Sequence, residues 1–162
     1  MSRDEEFTAF VREASPSLMR TGWLLTGNSD AAADLVQAAL VKSYLAWDRI
    51  DPTTAMAYTR RAMVNDNIDR WRRRHGEVTV GEVFDRPVGS FAADVENQLH
   101  VQRMLATLPP QQRRVVVLRY YEDLTEAQTA EFLNISVGAV KSTAHKALAA
   151  LRNHLVAEGE VR

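Results

Sequence analysis

Between Thr125 and His154 two helical patterns follow one another with room for only a tight turn between them. Thr125, with Gln128 three positions on, is a capping-box signature in which two orphan backbone donors at a helix start are satisfied reciprocally. Ala127, Ala130 and Leu133 supply one apolar side, and Asn134 follows. Asparagine enters the left-handed backbone region at low cost, so it can turn the chain sharply. Ser136 is placed to cap the next helix, whose apolar stripe runs Val140, Ala144, Ala147, Leu148, Leu151 and Leu155. Ala130 is small where the two helices must cross, and Val140 stands where it can plug the core they share. Two short helices, a brief turn and a small crossing residue are the layout of a helix-turn-helix, although an ordinary helical hairpin has a similar apolar pattern.

This layout leaves Gly138, Lys141, Ser142, His145 and Ala149 on the outer face, with Lys146 beside them. A recognition helix offers its exposed N-terminal residues to base edges in the major groove. Lys141 and Lys146 suit phosphate or guanine, and Ser142 can serve base or backbone. The pattern therefore points to double-stranded DNA.

A net charge of −1 over 162 residues argues against nucleic acid until its distribution is read. Residues 1–75 carry 11 basic and 10 acidic side chains, residues 97–162 carry 8 and 6, and residues 76–96 carry 1 and 5. The acidity is thus concentrated in the middle, which also holds Gly76, Gly81, Pro87, Gly89 and Ser90 and has no helical period. We read 76–96 as an acidic linker between an N-terminal domain, 1–75, and a C-terminal one, 97–162. The expected class is all-α, with two small helical domains joined by a flexible linker; a structured loop on a single domain is the alternative. With no cysteine, disulfides, zinc–thiolate sites and thiol catalysis are excluded. No apolar run approaches the roughly 20 residues of a membrane span, and the polar, acidic Met1–Glu6 is unlike a secretion signal, so no membrane association and a cytoplasmic location are expected.

The first half reads as several helices. Phe7, Phe10 and Val11 open an amphipathic stretch that Pro16 interrupts or restarts, and Leu18–Leu25 leads to the turn signal Thr26-Gly27-Asn28. Ser29 or Asp30 can cap the next helix, with Val36, Leu40, Tyr44 and Trp47 as its apolar stripe. Asp51-Pro52 marks a loop, since the residue before a proline avoids the α region. A third helix follows to about Arg74, burying Val64, Ile68 and Trp71. Arg61, Asn65, Asp69 and Arg72 recur at spacings of 4, 4 and 3 on its polar side. Four arginines among residues 70–74 suit the negative end of the helix dipole, and they equally suit phosphate.

Taken in order, these segments resemble a known family. Asp34-Leu35-Val36-Gln37 on a helix ending at Trp47, then Tyr58, Arg61, Asn65 and Asp69 before an arginine cluster, resemble region 2 of bacterial sigma factors. Leu108-Pro109-Pro110-Gln111-Gln112-Arg113, Leu118-Arg119-Tyr120-Tyr121 and Val137-Gly138-Ala139-Val140-Lys141-Ser142 resemble region 4. The short span between the two resembles the extracytoplasmic-function (ECF) group, and Leu24-Leu25-Thr26-Gly27 with Trp71-Arg72-Arg73-Arg74 its actinobacterial SigE-type members.

The resemblance implies the following roles. Asp34, Leu35 and Gln37 would dock on the clamp helices of the polymerase β′ subunit, and the β flap would be a second polymerase contact. The loop from Asp48 to Thr54 would capture a base flipped from the −10 non-template strand, with Arg49, Tyr58, Arg61, Asn65, Asp69, Arg72 and Arg73 on opened −10 DNA. Tyr58 stands where many members have Trp, and either ring can stack or pack. The −35 duplex would be read by Gly138, Lys141, Ser142, His145 and Lys146. Arg113 and Arg119 would contact phosphate or be solvated charges. An anti-sigma protein is a candidate partner. Ala139, Gln128 and Asn134 depart from the family's common Thr, Glu and Gly, so −35 specificity does not carry over.

Two other function classes fit these residues less well. A LuxR-like regulator with a helical sensor or dimerisation domain would share the C-terminal motif but has no use for the Asp34–Gln37 pair. An enzyme is disfavoured: His75, His100, His145 and His154 form no metal pair, and no glycine-rich phosphate loop occurs, so no catalytic residue, metal ligand or cofactor is expected. In the family the linker threads a positively charged RNA path. Neutralising Glu77, Glu82, Asp85 and Asp94 should alter the ladder of abortive transcripts, and an unchanged ladder would show those charges to be idle.

Overall fold

The computed structural model of the chain describes residues 1–75, 95–157 and 159. The chain divides into two compact units, residues 1–81 and 82–162. All regular structure among the described residues is helical. The acidic stretch read as a linker lies outside the described residues except for its last two positions, Val95 and Glu96, which are already helical.

In the first unit α1 spans Arg3–Thr26. Ser2 caps it by accepting from the Glu5 N–H at 3.2 Å, and Asp4, Glu5 and Glu6 put acid at its positive end. Pro16 neither interrupts nor restarts the helix. Its ring faces solvent while Ala14 and Leu18 on either side are buried, so packing holds the helix through a position that lacks a backbone donor. α1 ends at Gly27, in the left-handed region with φ 71°, whose N–H reaches the Trp23 carbonyl at 2.8 Å. Asn28, rather than Ser29 or Asp30, caps α2 (Ser29–Leu45) by accepting from the Ala31 N–H at 2.9 Å. Two residues between helices force an antiparallel pair. The connection to α3 (Ala55–His75) is made of two single 3₁₀ turns, Trp47–Arg49 and Pro52–Thr54.

The core of this unit joins Ala14 and Leu18 of α1, Leu35, Val36 and Ala39 of α2, and Met63 of α3. Fully burying side chains such as Leu18, Leu35 and Met63 contributes about 1.5–3 kcal/mol each. The stripe that faces inward on α2 is Ala32, Leu35, Val36, Ala39 and Ser43; of the expected Val36, Leu40, Tyr44 and Trp47, Val36 and Trp47 are buried. Leu40 is half-buried and Tyr44 lies at the rim. On α3, Val64 is buried as expected, whereas Ile68 and Trp71 are half-buried and Met63 and Asn67 take the centre. Two buried hydroxyls, Ser43 and Thr59, join α2 to α3 at 2.8 Å.

In the second unit α4 (Val95–Ala106) leads through buried Leu105 and Leu108 to Pro109 and α5 (Pro110–Val116). Proline at the first helical position costs no hydrogen bond, because that N–H would be an orphan. α5 runs into one π turn, Val117–Tyr121, closed by the Glu122 N–H on the Val117 carbonyl at 2.9 Å. Val115, Val117 and Leu118 are buried while Tyr121 is exposed.

The helix-turn-helix itself is α6 (Glu126–Leu133) and α7 (Val137–Ala157). Its capping box is present, with Thr125 Oγ1 accepting from the Gln128 N–H at 3.0 Å and Gln128 Oε1 from the Thr125 N–H at 2.8 Å. Asn134 is left-handed, at φ 55° and ψ 47°, and Ser136 caps α7 through the Ala139 N–H at 3.0 Å. Ala130, Val140, Ala144 and Ala147 are buried between the helices. Leu148 is exposed and Leu151 and Leu155 half-buried, so the inward stripe weakens beyond Ala147.

At Gly22 a Cβ would lie 3.2–3.3 Å from the Cβ, Cα and carbonyl oxygen of Ala32. Backbone cannot swing aside like a side-chain tip. Gly22→Val is expected to lower stability by about 1–3 kcal/mol through forced separation of the helices. Thermal unfolding followed by circular dichroism measures it, and a melt like that of the parent would show that the crossing tolerates bulk.

Candidate functional site

The outward face of α3 starts at Tyr58, 39% exposed, and continues through Arg61, Asn65, Asp69, Arg72 and Arg73. At about 100° per residue these positions fall within one side of the helix, opposite Met63 and Asn67. Arg61 is half-buried, and Asn65, Asp69, Arg72 and Arg73 are exposed. The Arg73 Nε leans back onto the Asp69 carbonyl at 3.4 Å. The loop before α3 is ordered from within. Asp51 Oδ1 accepts from the Thr53 N–H at 2.9 Å and its hydroxyl at 2.8 Å, and the Thr54 hydroxyl donates to the Asp51 carbonyl at 3.0 Å. The Thr53 N–H, and after it the Thr53 hydroxyl, hold the Asp51 carboxyl below its ordinary range. Arg49 is exposed at the loop's start.

On α2, Asp34 and Gln37 are exposed on one face. Leu35, grouped with them in the sequence reading, is 1% exposed and belongs to the core. The correction follows from helix geometry: a neighbour one residue away lies about 100° round the helix. The face continues instead through Val41 and Leu45, 55% and 71% exposed, at further spacings of 4 and 4. Sequence reasoning missed both, because exposed apolar residues on α2 look like core until the inward stripe is known. It also missed Arg70 as a link between helices. The Arg70 Nε lies 2.8 Å from Asp66 Oδ2 one turn back, and its Nη1 lies 3.9 Å from Asp34 Oδ2. Asp34 and Arg70, with Arg73 and Arg74, line an open groove of about 550 Å³. The Asp34–Arg70 contact is long and Asp34 is well exposed, so it orients the carboxylate more than it stabilises the fold.

In the second unit Gly138, Lys141, Ser142, His145 and Lys146 are all exposed on the first turns of α7. A Cβ on Gly138 would meet only Ser136 Oγ at 3.9 Å, so packing does not demand glycine there. Arg113 and Arg119 behave differently. Arg113 is 5% exposed, and its Nε donates to the Leu105 carbonyl at 3.1 Å. Its side chain stitches α5 to α4 and is withdrawn from the surface of this unit. Arg119 is half-buried, donates to the Leu124 carbonyl and lies 5.3 Å from the Tyr120 ring centre. Its first duty is to hold the turn between the π turn and α6. The sequence gives no local sign of either role, since the carbonyl partners are five and eight residues away.

Among the described residues no group of three His, Cys, Asp or Glu side chains could hold a metal ion, and no helix is long and apolar enough to cross a membrane. What the geometry offers is a set of separate surfaces: a cationic helix face with an ordered loop beside it, a mixed polar and apolar face on α2, and a bare, basic helix start on α7.

Comparison with known proteins follows that division. The model of sigma-70 region 2 matches residues 10–77, and the model of sigma-70, region 4 matches residues 98–151. The RNA polymerase sigma-E factor of Streptomyces coelicolor is 38% identical over 154 residues, covering 94% of this chain and 87% of the relative. The ECF RNA polymerase sigma factor SigM of Mycobacterium tuberculosis is 31% identical over 146 residues, 90% of this chain and 74% of the relative. In fold, the chain is similar to the sigma factor RpoE solved in complex with the anti-sigma factor NepR from Bartonella quintana, with a TM-score of 0.71 at 20% identity over 93% of this chain and 97% of that one.

Burial predicts how Arg113 will respond to truncation. Arg113→Ala should destabilise the C-terminal unit by about 1–3 kcal/mol, because the Leu105 carbonyl loses its partner in a dry site. Lys141→Ala should leave stability within about 0.5 kcal/mol. Chemical denaturation of the two variants tests this, and an Arg113→Ala protein as stable as the parent would return that residue to the surface.

Proposed function

The chain belongs to the ECF group of the sigma-70 family, and on that premise we propose which of its surfaces meet polymerase and which meet promoter DNA. It binds core RNA polymerase and directs promoter-specific initiation of transcription, region 2 opening and reading the −10 element and region 4 reading the −35 element. The observation that carries this is the presence of both regions in family order, residues 10–77 and 98–151. A LuxR-like regulator would need only the second.

Asp34 and Gln37 are the polar part of the polymerase dock, with Val41 and Leu45 as its apolar continuation. Exposure of all four on one α2 face supports this. A docking helix on β′ would gain directional contacts from the first pair and area burial from the second. Leu35 acts from behind, by fixing the helix. Opened −10 DNA lies along Tyr58, Arg61, Asn65, Asp69, Arg72 and Arg73. Arginine neutralises phosphate and the tyrosine ring can stack, while the Asp48–Thr54 loop, with Arg49, takes the base that leaves the helix. Capturing one unstacked base offsets a cost of a few kcal/mol.

The start of α7 enters the major groove at −35. Gly138 lets the DNA backbone approach, Lys141 and Lys146 meet phosphate or guanine, and Ser142 and His145 complete the reading face. Arg113 and Arg119 support this module from within it. The chain acts as an initiation factor rather than an enzyme, and its place of action is that of the polymerase, the cytoplasm. An anti-sigma protein masking region 2 and region 4 surfaces would be the matching regulator.

The proposed division is tested by run-off transcription with core polymerase on a randomised promoter library. Lys141→Ala with Ser142→Ala should weaken dependence on the −35 sequence about tenfold, the value of one lost base contact of about 1–3 kcal/mol, with core affinity intact. Asp34→Ala with Gln37→Ala should lower core affinity and leave promoter preference unchanged. One shared phenotype for both pairs would overturn the assignment.

A further inference from the structure

The first turns of α1 are tied to residues some forty positions away. Arg3 is the hub. Its Nε donates to Asp48 Oδ1 at 3.1 Å, its Nη2 donates to the Tyr44 carbonyl, and its guanidinium lies 4.4 Å from the Tyr44 ring centre. Beside it, Asp4 Oδ1 accepts from the Tyr44 hydroxyl at 2.9 Å. One turn on, the Phe7 ring meets Tyr44 and Trp47 edge-on, at 5.1 and 5.2 Å, and Phe10 lies 5.2 Å from Trp47.

Neither helix needs this cluster in order to form. α1 has its own cap in Ser2, and α2 ends on a backbone bond from the Ala46 N–H to the Lys42 carbonyl at 3.1 Å. The cluster instead seizes Trp47 and Asp48, the root of the loop that runs to Thr54. The far end of that loop is held by the Asp51 cap on Thr53. The loop is thus fixed at both ends by side chains, one set of which comes from α1.

Charge gives the arrangement a second consequence. Asp48 has 77% of its side chain exposed at the mouth of a loop that would receive a polyanion. Uncompensated, that carboxylate repels phosphate; paired with Arg3 it does not. Each contact is weak alone, as exposed ion pairs and cation–π contacts are, but they converge on Tyr44, Trp47 and Asp48, where α2 passes into the loop. Holding a binding loop in its bound shape removes an ordering cost from the binding step.

We propose that Arg3 and Phe7 are positioning residues for promoter opening: they hold Trp47 and Asp48 so that the 48–54 loop is already shaped for the base leaving the −10 stack. The proposal rests on the reading of that loop given above. Arg3 touches no DNA; it acts through Asp48 and Tyr44. The N-terminal turn of α1 is thereby part of the opening machinery although it lies outside the region-2 match, which begins at residue 10.

The test uses the full chain with core polymerase on a promoter whose −10 non-template positions are made abasic one at a time. Opening is read by permanganate reactivity, alongside core affinity and melting temperature. Arg3→Ala should lower open-complex yield about fivefold, the value of one exposed pair plus one cation–π contact, with core affinity within about twofold of the parent. The variant should also suffer less than the parent from the abasic position that matters, since it uses that base less well. The charge exchange Arg3→Asp with Asp48→Arg should recover the ion pair's share of the yield, about twofold, but not the share of the Arg3–Tyr44 contacts. Phe7→Leu should follow Arg3→Ala. If Arg3→Ala opens the promoter normally, or loses core affinity and melting temperature in step with opening, the positioning role is overturned. If the parent itself is indifferent to every abasic position, the loop reading fails, and that failure shows in the unmodified protein.

Discussion

At Gly22 the backbone of α1 passes close enough to Ala32 that one added carbon would meet Cβ, Cα and carbonyl oxygen together. The rest of the first unit depends on that approach. With Ala32 and Ala39 also fully buried, α2 lies near α1 along its length, and larger side chains such as Leu35 and Val36 reach the core from its flanks. Close packing then sets the rotation of α2 about its own axis. That rotation is what presents Asp34, Gln37, Val41 and Leu45 outward as one face. A few degrees of separation between the helices would blur the face before it unfolded the protein, because interiors near crystal density transmit displacement.

The second unit meets the same requirement differently. Ala130, Ala144 and Ala147 let α6 and α7 cross closely around Val140, all four being buried. Behind them the unit hides two arginines, Arg113 and Arg114, each 5% exposed. A buried guanidinium is costly unless its donors are used, and here Arg113 reaches the Leu105 carbonyl and Arg114 the Gln111 side chain at 3.2 Å. The first turns of α7 keep only small or mobile groups exposed, Gly138, Lys141 and Ser142 among them.

The connecting turns carry as much of the design as the helices. A left-handed Gly27 followed by an Asn28 cap reverses the chain in two residues; a left-handed Asn134 with a Ser136 cap two positions on turns it in three between α6 and α7. The Trp47–Thr54 segment is different, since it does not reverse the chain tightly but is pinned at both ends, by Asp51 within itself and by α1 from outside. A pinned irregular segment beside a cationic helix is suited to a ligand that must be seized quickly and in one geometry.

Features with short-range causes were legible in the chain itself. The capping box of Thr125 and Gln128, the turn at Asn134, the Ser136 cap, the Asp51-Pro52 break and the outward stripe of α3 each depend on residues within four positions of one another. The order of the matched segments carried the family. What tertiary structure alone decided was orientation and long-range partnership. It kept α1 whole through Pro16, sent Leu35 inward and Tyr44 to the rim, exposed Leu148, and gave Arg113 a carbonyl in place of a phosphate. The reason is physical. A helix of mixed alanines and leucines has several apolar stripes of similar quality, and only the neighbours it packs against select one. A charged side chain, likewise, shows its partner only when segments distant in sequence have been brought together.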